Sequence, residues 1–202
     1  MDHTTRAVLI PRFGPPEIMV EKEVALPAPG PGEVHLRVHG AGINFADLLQ
    51  RVGLYGKVPE LPYAPGFEVA GTVAQVGPGV EGWKEGDRAA AVLRFGGYAR
   101  DVVVPAGQLF PFPDAMSFLE AAGIPVVFLT AWVCLFETGH ARPGDTALIL
   151  GAGGGVGTAA VQLAVDRGLK VYGTAGTAEK RAFVVDELGA EACFDSRGSW
   201  PE

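Results

Sequence analysis

The residues of this chain whose types and spacing most directly imply chemistry are Gly151–Ala160, GAGGGVGTAA. Glycines at 153–155 let backbone N–H groups approach a pyrophosphate, which would sit against the unpaired amides of a new helix. Gly157 would let that helix pack closely on the preceding strand. The GxGxxG pattern is imperfect, because aligning its last glycine on Gly157 puts Ala152 in the first glycine's place. Alanine is small enough to keep the turn tight. Context supplies most of the weight. TALILGA before the turn reads as a fully buried parallel strand, Val156, Ala159, Ala160, Leu163 and Ala164 after it recur at helical spacing, and KVYGTA follows as a second strand.

The end of that second strand discriminates between nicotinamide cofactors. A site for NAD places an acid on the ribose hydroxyls roughly twenty residues after the turn, but here YGTAGTAEKR puts Ala175 near that position, with no carboxylate before Glu179. A 2′-phosphate is tolerated by this arrangement, and Lys180 or Arg181 could pair with it. The cofactor expected is therefore NADPH, held by Gly153, Gly154, Gly155, Val156, Gly157, Thr174, Lys180 and Arg181. The competing reading makes Lys180 and Arg181 solvated residues on the first turn of a helix.

Two kinds of segment must position these groups. Up to about Leu109 the chain reads as short strands (RAVLIP, MVEKEV, EVHLRVHGAGI, EVAGTVAQVG, DRAAAV, YARDVVVP) separated by Gly/Pro turns, which predicts an all-β module, a barrel. In EVHLRVHG, Val34, Leu36 and Val38 alternate with His35, Arg37 and His39, so the histidines are expected to face solvent. INFADLLQRVGLYG interrupts the strands as a helix with Asn44 at its start and Phe45, Leu48 and Leu49 on one apolar face. From Ser117 the pattern changes. SFLE is a capping box, IPVVFLTAWVCLF reads as a buried helix with Cys134 as inert packing and Trp132 and Phe136 as core, and the remainder alternates strand and helix up to EACFD. The domains expected are 1–115 and 116–202, the second being the first βαβαβ half of a Rossmann doubly wound parallel sheet.

Composition excludes several classes. The chain has 202 residues with 48% hydrophobic content and a net charge of −7 without a Lys/Arg block, so its field repels a phosphate polymer and nucleic acid is not an expected partner. The longest apolar run, Ile124–Phe136, is shorter than the roughly twenty residues a bilayer span requires. Two cysteines with no CxxC and no Cys/His cluster argue against a disulfide framework or a structural zinc site and fit a reducing, cytoplasmic setting.

The ordered motifs GINFADLLQRVGLY, PYAPGFEVAGTVAQVGPGV, GDRAAAVLRFGGYA and GAGGGVG resemble the medium-chain dehydrogenase/reductase superfamily, and within it the zinc-free quinone oxidoreductases. RFGGYA and GAGGGVG look most like the branch of the vesicle amine transport protein homologues. The resemblance implies a GroES-like fold for the β-module and NADPH-dependent reduction of quinones or activated alkenes, a small-molecule electron acceptor. It also implies a homodimer for a full-length parent. Zinc alcohol dehydrogenases carry Gly-His-Glu where this chain has Gly66-Phe67-Glu68, and a cysteine ligand near Asn44; with neither ligand, no metal site is expected. The segment Asn44–Tyr55 borders the reacting cleft in the resembling enzymes, which implies that Asn44 lies near the nicotinamide or substrate oxygen and Tyr55 lines the substrate. Asp47 and Arg51, i and i+4, would form a supporting ion pair. Thr130 matches the threonine that faces the nicotinamide, with a core threonine bonded to its own helix as the alternative. Val127 and Ser196 depart from this branch, where asparagine and tyrosine are common.

The nucleotide sheet read here has strands 1, 2 and 3 only, so strand 1 should expose a hydrophobic edge. The expected reading is a truncated member of the superfamily. The alternatives are a non-catalytic relative that binds nucleotide or protein and, less favoured, an enoyl reductase module of a larger synthase.

Overall fold

The computed structural model describes residues 3–198. They separate into two compact units that divide after Val126. The first begins with an antiparallel ribbon of β1 (His3–Leu9) and β2 (Val20–Leu26). Next come β3 (Glu33–Ala41), the helix α1 (Phe45–Arg51), β4 (Glu68–Val76), β5 (Arg88–Val92), β6 (Asp101–Pro105) and the two-residue β7 (Leu109–Phe110). β3 to β7 form one antiparallel sheet in the order β6-β3-β4-β5-β7, curled into the half-barrel of a GroES-like fold. The alternation in β3 holds: Val34 and Leu36 are fully buried and pack with Val69, Val73, Ala89, Val102 and Val104. The helix α2 (Phe118–Ala122) lies on this sheet and starts with the expected capping box. Ser117 N–H donates to Glu120 at 2.7 Å, and Glu120 N–H donates to the Ser117 hydroxyl at 3.2 Å.

Of the histidines of β3, His39 is exposed as expected, whereas His35 corrects the solvent-facing expectation. His35 Nε2 lies 3.0 Å from Asp101 Oδ1, and the Thr5 hydroxyl donates to the other oxygen of that carboxylate. His39 bonds the Thr72 hydroxyl and packs on the Phe118 ring. Both serve as cross-strand ties within the sheet.

The helix α3 (Pro125–Trp132) spans the division and continues through a wider π turn over Val133–Thr138. The second unit then runs β8 (Thr146–Ile149), α4 (Gly155–Asp166), β9 (Lys170–Ala175), α5 (Ala178–Asp186) and β10 (Ala192–Asp195). Its three strands are parallel in the order β10-β9-β8. This is the βαβαβ half of a doubly wound sheet. Val161, Ala164, Val171 and Val184 form its core.

Two sequence expectations fail here for a common reason. β8 is the exposed hydrophobic edge expected of a sheet with strands 1 to 3 only, so TALIL is not the fully buried strand its apolar run suggests: Ile149 is buried, while Leu148 and Leu150 are 55% and 70% exposed. The run Ile124–Phe136 is helical but not buried: Leu129, Thr130, Val133 and Cys134 all face solvent. A continuous apolar run signals burial on every side only when neighbours cover each side, and here one flank is open. Cys134 is accordingly an exposed thiol, not core packing. Trp132 and Phe136 do pack together, with ring centroids 4.8 Å apart and the Arg167 guanidinium over Trp132.

Candidate functional site

The glycine turn lies between β8 and α4. Gly151 adopts φ +67°, the left-handed conformation that glycine takes at no steric cost, so it makes the tight turn one residue before Ala152. Ala152 is therefore free to be buried, its N–H donating to the Thr174 carbonyl. At Gly157 there is no space for a side chain: a Cβ would lie 2.2 Å from the Gly151 carbonyl oxygen and 2.7 Å from Ala152 Cα. That contact is what brings α4 down onto the end of β8. With Gly154 as N-cap, the amides of Gly155, Val156 and Gly157 belong to the first helical turn, where no intrahelical carbonyl can reach them. Gly154, Gly155 and Val156 are exposed, and the turn borders a cleft of about 410 Å³ lined also by Leu148, Leu150, Ala131 and Cys134. Amides at the positive end of a 12-residue helix favour negative charge beside them.

The residues at the end of β9 take three different positions. Thr174 is buried, and its hydroxyl accepts the Gly151 N–H at 3.1 Å, so it braces the glycine turn from beneath. The stem of Lys180 runs across Gly153, close enough that a Cβ there would lie 2.9 Å from Lys180 Cβ. Arg181 instead donates to the Ala175 carbonyl at 3.2 Å and pairs with Asp195 at 3.1 Å. Ala175 is buried, Glu179 is exposed on the first turn of α5, and the Arg197 guanidinium lies beside Gly176. Thr130 is exposed on α3, and Val127 of the same helix touches the space above Gly155.

In the first unit, α1 is oriented opposite to its apolar pattern. Phe45 and Leu48 are 75% and 44% exposed, whereas Asp47 and Gln50 are 5% and 2% exposed. On this buried side Asp47 meets backbone donors, whereas Gln50 Oε1 has no hydrogen-bond partner. Asp47 accepts from Asn44 N–H at 2.8 Å and from Gly66 N–H at 3.2 Å. Arg51 turns to the Gly14 carbonyl, so the Asp47–Arg51 ion pair expected from their spacing is replaced by two separate ties. The Asn44 amide points to Glu68, its Nδ2–H donating to Oε1 at 2.7 Å. Glu68 is 1% exposed, and its second oxygen accepts the Val126 N–H at 2.8 Å. Burial raises the carboxyl pKa of Asp47 and of Glu68, against the opposing effect of these hydrogen bonds. Burial, and then the neighbouring Asp47 charge, raises that of Tyr98 too. Tyr55 is 44% exposed at the end of the segment and meets the Phe67 ring edge-on at 5.9 Å.

In the first unit Tyr55 thus meets Phe67 and Asn44 meets Glu68, and Gly153–Gly157, Thr174 and Lys180 lie together in the second. The burial of Asp47, Gln50, Glu68 and Tyr98 was not read from sequence, where Asp47 is expected as the ion-pair partner of Arg51. The available signal was that Gln50 and Glu68 are polar residues in otherwise apolar segments.

Residues 30–114 match the alcohol dehydrogenase GroES-like domain. Among curated relatives, the rat synaptic vesicle membrane protein VAT-1 homolog is 48% identical over 76% of this chain and 38% of its own length. Rat quinone oxidoreductase is 38% identical over 95% of this chain and 59% of its own. The crystal structure of Escherichia coli quinone oxidoreductase complexed with NADPH superposes with a TM-score of 0.88 at 33% identity, covering 98% of this chain and 60% of that one. The chain belongs to the medium-chain dehydrogenase/reductase superfamily. Within that superfamily it is similar to quinone oxidoreductases and VAT-1 homologues, and the matches span three-fifths or less of those relatives.

Proposed function

We propose that this protein is a zinc-independent, NADPH-dependent oxidoreductase that reduces quinones or activated alkenes, enones and enals, by hydride transfer. The observation that carries the reading is the glycine turn. Its exposed first-turn amides, the close helix packing at Gly157 and the Lys180 stem across Gly153 together fit a dinucleotide pyrophosphate with extra negative charge beside it. The small, buried Ala175 supplies no carboxylate to oppose a 2′-phosphate. Of the two cationic candidates, Lys180 is the freer, because Arg181 is already held by Asp195 and the Ala175 carbonyl.

When bound, the nicotinamide supplies the hydride. The chain's own residues bind, orient and stabilise charge. Gly155, Val156 and Gly157 would hold the pyrophosphate, Thr174 would keep the turn rigid by its bond to Gly151, and Thr130 would face the nicotinamide. Asn44 would donate to the acceptor oxygen as negative charge develops there, and Tyr55 would line the acceptor. Such fixed donors lower the barrier without a strong acid or base. The donor chemistry near Asn44 supports a reaction without zinc: Phe67 offers no ligand atom and both Glu68 oxygens accept hydrogen bonds.

A second reading, a non-catalytic module that binds nucleotide or protein, is supported by the similarity to VAT-1 homologues. Consumption of NADPH with a quinone and with an enal distinguishes the two. Turnover with either acceptor supports the oxidoreductase, and its absence leaves the binding module. The two cysteines, without a CxxC, support a cytoplasmic setting for either. No helix among the described residues is long and apolar enough to cross a membrane.

A further inference from the structure

We propose that Glu68 is a positioning residue that fixes the Asn44 amide so that one Nδ2–H is held and the other is presented to the oxygen of the electron acceptor. The inference deepens the oxidoreductase reading and rests on it. An amide at the start of a helix can turn over, exchanging a donor for an acceptor at the same place. Here it cannot do so without loss. Glu68 Oε1 lies 2.7 Å from Asn44 Nδ2, and an ionised carboxylate only accepts; turning the amide would set two acceptor oxygens against each other. The other oxygen, Oε2, is held at 2.8 Å by the Val126 N–H, so the carboxylate itself is clamped from its far side.

The surroundings are shaped to this contact. A Cβ at Gly42 would lie 2.2 Å from Glu68 Oε1 and 2.6 Å from the Ala122 carbonyl, so only glycine leaves room for the carboxylate. Gly42 N–H donates to the Glu68 carbonyl at 3.1 Å, fixing the backbone that carries the side chain. Asn44 is additionally held through its own N–H by Asp47. Two buried carboxylates therefore grip one half-buried asparagine, one by its backbone and one by its side chain. Only one of its two Nδ2 protons is used in doing so.

Exchanging donor and acceptor between the two positions tests positioning against mere structural support. In Glu68→Gln one of two facing donors loses its acceptor, because a glutamine amide accepts at only one end. In Asn44→Asp two carboxylates confront each other. The double variant Asn44→Asp/Glu68→Gln restores both bonds: the introduced glutamine donates to the introduced aspartate and accepts from the Val126 N–H, but position 44 no longer offers a proton.

The unfolding midpoint is expected to recover in the double variant relative to Asn44→Asp. Its kcat for enone or quinone should stay down by roughly a hundredfold, the typical effect of removing one oxyanion donor. In ¹⁵N-labelled wild-type protein, the Asn44 Nδ2 protons should exchange with solvent at unequal rates. Recovery of turnover together with stability in the double variant would overturn the positioning role while leaving the oxidoreductase reading intact. Equal exchange of the two Asn44 protons would overturn the contact on which it depends. A folded wild-type protein that reduces no acceptor would overturn the functional reading and this proposal with it.

Discussion

Replacing Gly157 by alanine adds one carbon atom at the place where the helix α4 meets the end of β8. The new Cβ would lie 2.2 Å from the Gly151 carbonyl oxygen, 2.7 Å from Ala152 Cα and 2.9 Å from the Gly151 carbonyl carbon. All three are backbone atoms, so no side chain can rotate aside. Restoring ordinary contact at about 3.5 Å requires the start of α4 to move by about 1 Å. Overpacking of this kind costs about 1–3 kcal/mol, and the rigid neighbours place Gly157→Ala near the upper end. The better helix propensity of alanine returns about 1 kcal/mol, which leaves a net loss of about 2 kcal/mol. The same movement carries the amides of Gly155 and Val156 off the pyrophosphate position, and misplacement by about 1 Å can weaken a preorganised contact on the order of a hundredfold. Gly155→Ala is the internal control: its Cβ would meet only the Val127 side chain, at 3.3 Å. Urea denaturation and titration of intrinsic fluorescence with NADPH measure both quantities. Gly157→Ala should lose stability and affinity while Gly155→Ala keeps its stability. A Gly157→Ala protein as stable as wild type, binding NADPH equally well, would refute the packing argument and the placement of the pyrophosphate.

Other consequences are open to direct measurement. Asp47→Ala leaves the N–H groups of Asn44 and Gly66 without their acceptor and should cost about 2–4 kcal/mol in urea denaturation; an unchanged midpoint would show that water replaces the carboxylate. Burial raises the folded-state pKa of Asp47 and Glu68, so between the ordinary carboxylate value of about 4 and the raised value the unfolded chain binds fewer protons than the folded one. Their contribution to stability is thus greatest at low pH and declines as pH rises through the raised values. Thermal melts across that window should flatten in Asp47→Asn, and an unaltered slope would contradict the assignment. Lys180→Ala should reduce the preference for NADPH over NADH more than Arg181→Ala does, since Arg181 is committed to Asp195; equal effects in nucleotide titrations would remove that distinction.

Why some of this was legible in the sequence and some was not follows from particular residues. Period-two alternation fixed β3 because one side of a strand at Val34 and Leu36 faces a single core. The capping box at Ser117 and the glycine turn at Gly151–Gly157 are local, since their geometry depends on residues within a few positions. In α1 the same reasoning failed. Its apolar face is exposed and its polar face buried, in part because Asp47 accepts from the backbone amide of Gly66, 19 residues away. Burial of β8 and of the run after Ile124 was misread because a sequence states how apolar a segment is, not whether anything covers it. The ion pair expected between Asp47 and Arg51 gave way to backbone acceptors and donors, which residue spacing along a helix does not register.

The central claim is that the turn from Gly151 to Gly157 binds a dinucleotide and that the end of β9 selects the phosphorylated form. Titration of the folded protein with NADPH and with NADH, followed by fluorescence or calorimetry at one ionic strength, tests it most directly. Saturable binding with NADPH the tighter ligand is the predicted result. Tighter binding of NADH, or no binding of either nucleotide, would contradict it.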